Sequence, residues 1–192
     1  MEQYNIPCVI LSGGKSSRMG EKVDKSLLPF GGFSTMIEYQ YNKLSKIFKK
    51  VYISSKTNKF NFDANIIYDN NKEFSPLVAL DSIFAKLDDE KIFIITVDTP
   101  LIQNETIQKL VNKSHNHFIT LINDGEFTHN LFGIYNKKVK VLIKEQLKNN
   151  NHKIRSLIQN TPNILILQEK NKNQFTNINT INDYNNTSSS IR

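Results

Sequence analysis

Short apolar runs alternate along this chain with stretches whose apolar residues recur at helical spacing, and polar turns mark most changes of period. Pro7 to Leu11 reads as a first strand. From Thr35 to about Phe48, residues Met36, Ile37, Tyr41, Leu44 and Phe48 keep close to helical spacing, with lysines on the other side. Val51 to Ser54 and Ile66 to Asp69 read as short strands. Pro76 suits the first turn of a helix and opens one through Leu77, Leu80, Ile83, Phe84 and Leu87. Lys91 to Val97 is almost continuously apolar and β-branched, which is how a strand covered on both faces of a parallel sheet reads.

The pattern continues with a helix expected to be capped by Asn104 and to run to about Lys113, then a strand from His117 to Ile122. Asp124-Gly125 is a hairpin-type turn into a strand from about Thr128 to Tyr135. Helices are expected at Lys137 to Leu147 and Ile154 to Gln159, and a strand at Ile164 to Leu167. This alternation predicts an α/β fold: a mainly parallel sheet with helices on both faces, and the hairpin adds at least one antiparallel strand. No linker divides the chain, so residues 1–184 are expected to form one domain. Residues 185–192 lack apolar content and are expected as a disordered tail.

Composition narrows the reading. The 192 residues are 39% hydrophobic and 22% charged, within the range of water-soluble globular domains. No run approaches the roughly 18 apolar residues of a membrane span, and the N-terminus lacks the features of an export signal, so a cytoplasmic protein without membrane contact is expected. The single cysteine, Cys8, excludes an intrachain disulfide and opens an apolar run, as a buried structural thiol does. Net charge is +7, but the lysines are spread through Asn- and Ile-rich sequence rather than clustered with aromatics. That argues against nucleic-acid binding and for attraction of small anions.

The chemistry gathers first in Leu11-Ser12-Gly13-Gly14-Lys15-Ser16-Ser17-Arg18-Met19-Gly20, followed by Asp24-Lys25. Adjacent glycines let backbone N–H groups approach anionic oxygens, the serines can donate as well, and Arg18 and Lys25 supply charge suited to a triphosphate. A Walker-type loop would need glycine at position 9, which is Val9, and the dinucleotide fingerprint fails because the glycines are adjacent. Taken alone, the segment also reads as a Gly-Gly turn with a solvated basic loop.

Asp69 and Asp98 follow strands expected to end on the same edge, where ligands of such sheets bind. Asp98 leaves the most apolar strand and precedes Thr99-Pro100. An aspartate there can hold Mg²⁺ together with phosphate and water, or cap the turn toward Asn104.

The loop, Leu-x-Gly-Gly-x-Ser-x-Arg-Met-Gly with Asp-Lys after it, resembles the signature of nucleotidyltransferases, most closely the molybdenum cofactor guanylyltransferases of the MobA family. That resemblance implies a single-domain Rossmann-like nucleotidyltransferase fold. It implies GTP contacts from Leu11, Ser12, Gly13, Gly14, Lys25, Asp69 and Asp98, and catalytic roles for Lys25, Arg18 and Asp98. It also implies Mg²⁺ on Asp98, from the Asp-x-Pro at Asp98 and Pro100, and a pterin substrate contacted by Asn177 and Asn179 of Asn177-Ile178-Asn179-Thr180. Three features depart from the family pattern. Glu21-Lys22-Val23 lengthens the loop before Asp24, Ser75 and Leu80 stand where glycines flank Pro76-Leu77, and Ser54-Ser55 replaces an asparagine after the second strand. His129-Asn130-Leu131 resembles a His-Pro-Leu/Thr motif. The family's chemistry needs no histidine base, so His129 also reads as a strand-edge residue.

The implied reaction transfers GMP from GTP to molybdopterin, with or without molybdenum, and releases pyrophosphate. Proteins that insert the cofactor or mature molybdoenzymes are the implied protein partners. Two other readings stay open: cytidylyl transfer to molybdopterin or to a sugar or polyol phosphate, and a non-catalytic nucleotide-binding regulatory module.

Overall fold

Strand β1 (Cys8–Leu11) lies inside a seven-stranded sheet, between two parallel neighbours, and its apolar residues Cys8, Val9 and Ile10 are buried on both faces. The computed structural model describes residues 2–13, 24–69, 73 and 75–189. In chain order, β1 is followed by a 3₁₀ turn (Lys25–Leu27), α1 (Met36–Ser45), β2 (Val51–Ser55), β3 (Ile66–Tyr68), α2 (Pro76–Lys86) and β4 (Lys91–Thr96). Then come α3 (Asn104–Lys113), β5 (Ile119–Asn123), β6 (Thr128–Asn136), α4 (Lys140–Lys148), α5 (Ile154–Asn160), β7 (Ile164–Gln168) and α6 (Ile181–Ser189).

The strand order is β3-β2-β1-β4-β6-β5-β7. Only β6 opposes its neighbours: it pairs antiparallel with both β4 and β5, while the remaining pairings are parallel. The sheet is therefore mainly parallel, and the Asp-Gly hairpin supplies its antiparallel strand. Gly125 takes a φ of +92°, a value that a side chain would strain, at the tip of that hairpin.

Alternation along β1 and β4 splits the core in two. Cys8, Ile10, Phe93 and Ile95 pack with α1 and α3 residues such as Ile37, Leu44, Ile107 and Leu110. Val9, Ile92 and Ile94 pack on the other face with Leu80, Ile83 and Phe84 of α2, Ile143 of α4 and Leu157 of α5. Cys8 is fully buried, and burial pushes its thiol well above the ordinary value, as suits a core residue. No helix among the described residues is long and apolar enough to cross a membrane.

Three expectations change. The cap of α3 is Gln103, with Asn104 the first helical residue, and Gln103 makes no side-chain cap bond; its N–H instead donates to Gln174 Oε1 at 3.1 Å. Residues 185–189, expected as tail, belong to α6, and 190–192 lie outside the described residues. The Thr180 hydroxyl accepts from Asp183 N–H at 3.1 Å, and the Asp183 carboxylate accepts from Thr180 N–H at 2.8 Å and Asn179 N–H at 3.0 Å. That reciprocal cap starts a helix in polar sequence, which hydrophobic periodicity cannot reveal. Lys43, finally, does not lie on the solvent side of α1 but reaches inward to main-chain carbonyls.

Candidate active site

The order of strands reverses between β1 and β4, which leave in opposite directions toward β2 and β6, and a crevice at the carboxyl ends of such strands is where α/β sheets bind ligands. A cavity of about 400 Å³ opens there. Leu11, Gly13, Lys25, Thr96 and Asp98 line one part of it, and Ser54, Ser55, Lys56, Asp69 and Ser75 another. Leu131 of β6 and Pro76 and Ala79 of α2 add apolar wall.

Lys25 sits on the 3₁₀ turn, whose start is capped by Asp24: the carboxylate accepts from Ser26 N–H at 3.0 Å and from Ser26 Oγ at 2.6 Å. Lys59 pairs with the same aspartate. Burial works to raise the Asp24 pKa, but the Lys59 and Ser26 hydrogen bonds outweigh it and hold the carboxyl below its ordinary value. So anchored, Lys25 Nζ donates to Asp98 Oδ2 at 3.0 Å, Asn179 Oδ1 at 3.0 Å and the Ile178 carbonyl at 3.1 Å.

Asp98 leaves β4 in a tight turn. Its Oδ1 accepts from Thr96 Oγ1, its Oδ2 meets Lys25, and its own carbonyl accepts from Ile178 N–H at 2.9 Å. The side chain keeps 22% of its accessibility, so it is neither sealed off nor fully in water. Among the described residues no three His, Cys, Asp or Glu side chains gather as a ready-made metal cage. A hard cation at Asp98 would take its other oxygens from phosphate and water, which suits Mg²⁺.

Asp69 closes the other part of the crevice: its N–H donates to Ser55 O at 3.0 Å and its carboxylate accepts from Ser82 Oγ at 3.3 Å. Ser12 is buried at the end of β1, and its N–H donates to Ser54 O at 3.0 Å. Gly14 and Arg18 lie outside the described residues. Asn179 meets Lys25, whereas Asn177 is exposed, so this crevice-side contact involves one amide of the pair. Ser75, in a glycine's place, caps α2 by accepting from Val78 N–H at 3.1 Å, and Leu80 fills the core.

His129 is held elsewhere. Its Nε2 lies 2.9 Å from Asp124 Oδ2, and its ring stacks on Phe175 with centroids 4.2 Å apart. Burial would raise the Asp124 pKa, but Phe127 and Glu126 N–H groups and His129 bring it down to about 2. This pair braces the hairpin against the segment that leads to Ile178 and Asn179. Sequence reasoning did not single out Thr96 or Leu131 as wall residues; their positions two before Asp98 and two after His129 were the available signal.

Comparison with known proteins agrees with this architecture. Residues 8–164 match the MobA-like NTP transferase domain family. A Helicobacter pylori protein named molybdenum cofactor guanylyltransferase is 36% identical over 186 residues, covering 94% of this chain and 90% of the relative. A Campylobacter jejuni subsp. doylei protein of the same name is 34% identical over 187 residues, covering 96% of each. The crystal structure of molybdopterin-guanine dinucleotide biosynthesis protein A from Archaeoglobus fulgidus superposes with a TM-score of 0.81 at 16% identity, over 96% of this chain and 98% of that one, a likeness of fold. A sheet reversing beside β1, a lysine and an aspartate meeting over its carboxyl edge, and relatives matched along nearly the whole chain agree: this protein belongs to the MobA-like NTP transferase family.

Proposed function

We propose that this enzyme transfers GMP from GTP to molybdopterin, forming a guanine dinucleotide cofactor and pyrophosphate. The observation that carries the reading is the meeting of Lys25, Asp98 and Asn179 at one edge of the crevice, in a chain whose relatives bear the name molybdenum cofactor guanylyltransferase.

In the transfer, an anionic oxygen of the acceptor's terminal phosphate attacks the α-phosphorus of GTP. One P–O bond forms to the acceptor, the bond to the β-phosphate oxygen breaks, and pyrophosphate leaves with that electron pair. The nucleophile is already an anion, so no side chain has to remove a proton. The protein's tasks are alignment and charge neutralisation. Lys25 and Arg18 offset charge on the α-phosphoryl group and on the departing pyrophosphate. Main-chain N–H groups of Gly13 and Gly14 hold the phosphates, and Leu11 and Ser12, whose N–H joins the sheet, place the turn that presents them.

Asp98 is the residue that would hold Mg²⁺, and the cation would supply charge neutralisation to the phosphates. With the triphosphate over β1 and β4, the base extends toward Ser55 and Asp69 beyond β2 and β3. Asn179, at the crevice edge, and the exposed Asn177 two residues before it are assigned to the pterin side. A GTP-consuming biosynthetic step of this kind fits the cytoplasm, with proteins that insert the cofactor or mature molybdoenzymes receiving its product.

Thermal shift with Mg²⁺ and GTP, CTP, UTP or ATP in turn, followed by pyrophosphate release on adding molybdopterin, tests the proposal. GTP is expected to give the largest stabilisation and the only acceptor-dependent release. Preference for CTP, or GTP binding without release, would contradict it.

A further inference from the structure

Helix α1 touches both halves of the crevice edge. Its first N–H, from Met36, donates to Leu28 O at 2.7 Å, at the end of the 3₁₀ turn that carries Lys25. Further along, Gln40 is 1% exposed, and its amide donates to Thr96 O at 3.1 Å and Thr99 O at 3.3 Å. Those carbonyls stand on either side of Asp98. Lys43, three residues on and so on the same face of α1, donates to Pro100 O at 3.0 Å and Ile102 O at 2.5 Å. The turn carrying Asp98 thus has four carbonyls tied to two side chains of a single helix.

Neither residue is explained by packing. Gln40 occupies the apolar stripe of α1 with Met36, Ile37 and Leu44, where a leucine would fill the space. Burial of the Lys43 ammonium pulls its pKa from 10.5 down to about 8, so its charged form is disfavoured there. A methionine of similar length would carry no such penalty. What the two polar side chains supply, and hydrocarbon cannot, is a fixed course for residues 96–102.

We propose that Gln40 and Lys43 are positioning residues for Asp98, and that α1, bonded to Leu28 at one end and to the Asp98 turn along its face, sets the separation of Lys25 and Asp98. Residues that orient a ligating carboxylate from behind affect metal affinity and rate without touching substrate. The inference rests on the proposed role of Asp98 as the residue that would hold the metal, which Asp98→Asn tests by itself; the turnover arm rests in addition on the guanylyl-transfer reading.

The test compares Lys43→Met, Lys43→Arg and wild type, with Asp98→Asn as the reference for a lost ligand. Binding of Mn²⁺ with GTP present is followed by electron paramagnetic resonance, and GMP transfer to molybdopterin is measured in parallel. Lys43→Met is expected to weaken Mn²⁺ binding and lower kcat, each by about tenfold, while Lys43→Arg, which keeps the donors, stays within about threefold of wild type. Gln40→Met removes the donors beside Asp98 and carries the same expectation, so it decides the question if Lys43→Met does not fold. Wild-type Mn²⁺ binding in folded Lys43→Met or Gln40→Met overturns the proposal, as does an arginine variant no better than the methionine one. Absence of GMP transfer by wild type would overturn the functional reading instead, and the Mn²⁺ arm would still decide the role of α1.

Discussion

Lys25 and Asp98 stand 73 residues apart in the chain and 3.0 Å apart in space, Nζ to Oδ2. The contact joins the turn after β1 to the turn after β4, the two parallel strands at the reversal of the sheet. On the proposed function, the ammonium would meet phosphate oxygens and the carboxylate would hold the metal of one magnesium triphosphate.

Lys25→Ala removes the only described side-chain cation that reaches Asp98. GMP transfer is expected to fall by about a hundredfold or more, the usual consequence of deleting one preorganised charge-stabilising donor. The thermal midpoint should move little, because the lysine is not part of either apolar core. Steady-state kinetics beside a melting curve checks both halves; near-normal transfer would remove Lys25 from the reaction.

Asp98→Asn keeps the side chain's shape and its place beside Thr96, but removes the charge. Transfer is expected to drop and to require more Mg²⁺, with excess metal restoring only part of the rate. A titration of rate against Mg²⁺ reads this directly. An unchanged magnesium curve would assign the metal to another group.

Thr180→Ala breaks the reciprocal cap of α6 by removing the hydroxyl that receives Asp183 N–H. The expected cost is about 1 kcal/mol in denaturant unfolding. Because Asn179 N–H shares the Asp183 carboxylate, the variant should also raise the KM for molybdopterin more than that for GTP. Equal changes in both would separate the cap from the acceptor side.

Asp124 and Lys43 both make stability rise with pH, in two separate windows. The Asp124 pKa falls from 3.8 to about 2 on folding, so its contribution is present above pH 3.8 and is lost as pH falls through about 2. The melting-temperature gap between wild type and Asp124→Asn should therefore narrow as pH drops across that window. For Lys43 the folded pKa of about 8 lies below 10.5, so the unfolded chain binds more protons between these values. Wild type should gain stability relative to Lys43→Met as pH rises from about 8 toward 10.5. Parallel melting curves of each pair across pH would contradict these assignments.

Much of this was legible in the sequence because burial writes a period into it. Lys91 to Val97 announced the central strand and hence where Asp98 emerges, and Pro76 marked the start of α2. The Gly-Gly turn, Asp69 and Asp98 follow strands, so the sheet alone brings Gly13, Asp69 and Asp98 to one edge. What stayed hidden rests on bonds between polar groups distant in the chain. Nothing local says that Asn179 Oδ1 will meet Lys25, or that Gln40 on an apolar stripe will grip the carbonyls around Asp98. Nor does the sequence say that His129, at a strand edge, will pair with Asp124 and stack on Phe175. The polar helix α6 was invisible to hydrophobic period, since its cap rather than its core face starts it.

The most direct measurement follows a radiolabel. Wild-type enzyme is given Mg²⁺, molybdopterin and GTP labelled at either the α- or the γ-phosphate. The α-label is expected to enter the pterin product in proportion to pyrophosphate formed, while γ-label leaves entirely as pyrophosphate. Appearance of γ-label on the pterin, or release of label with no pterin product, would contradict it.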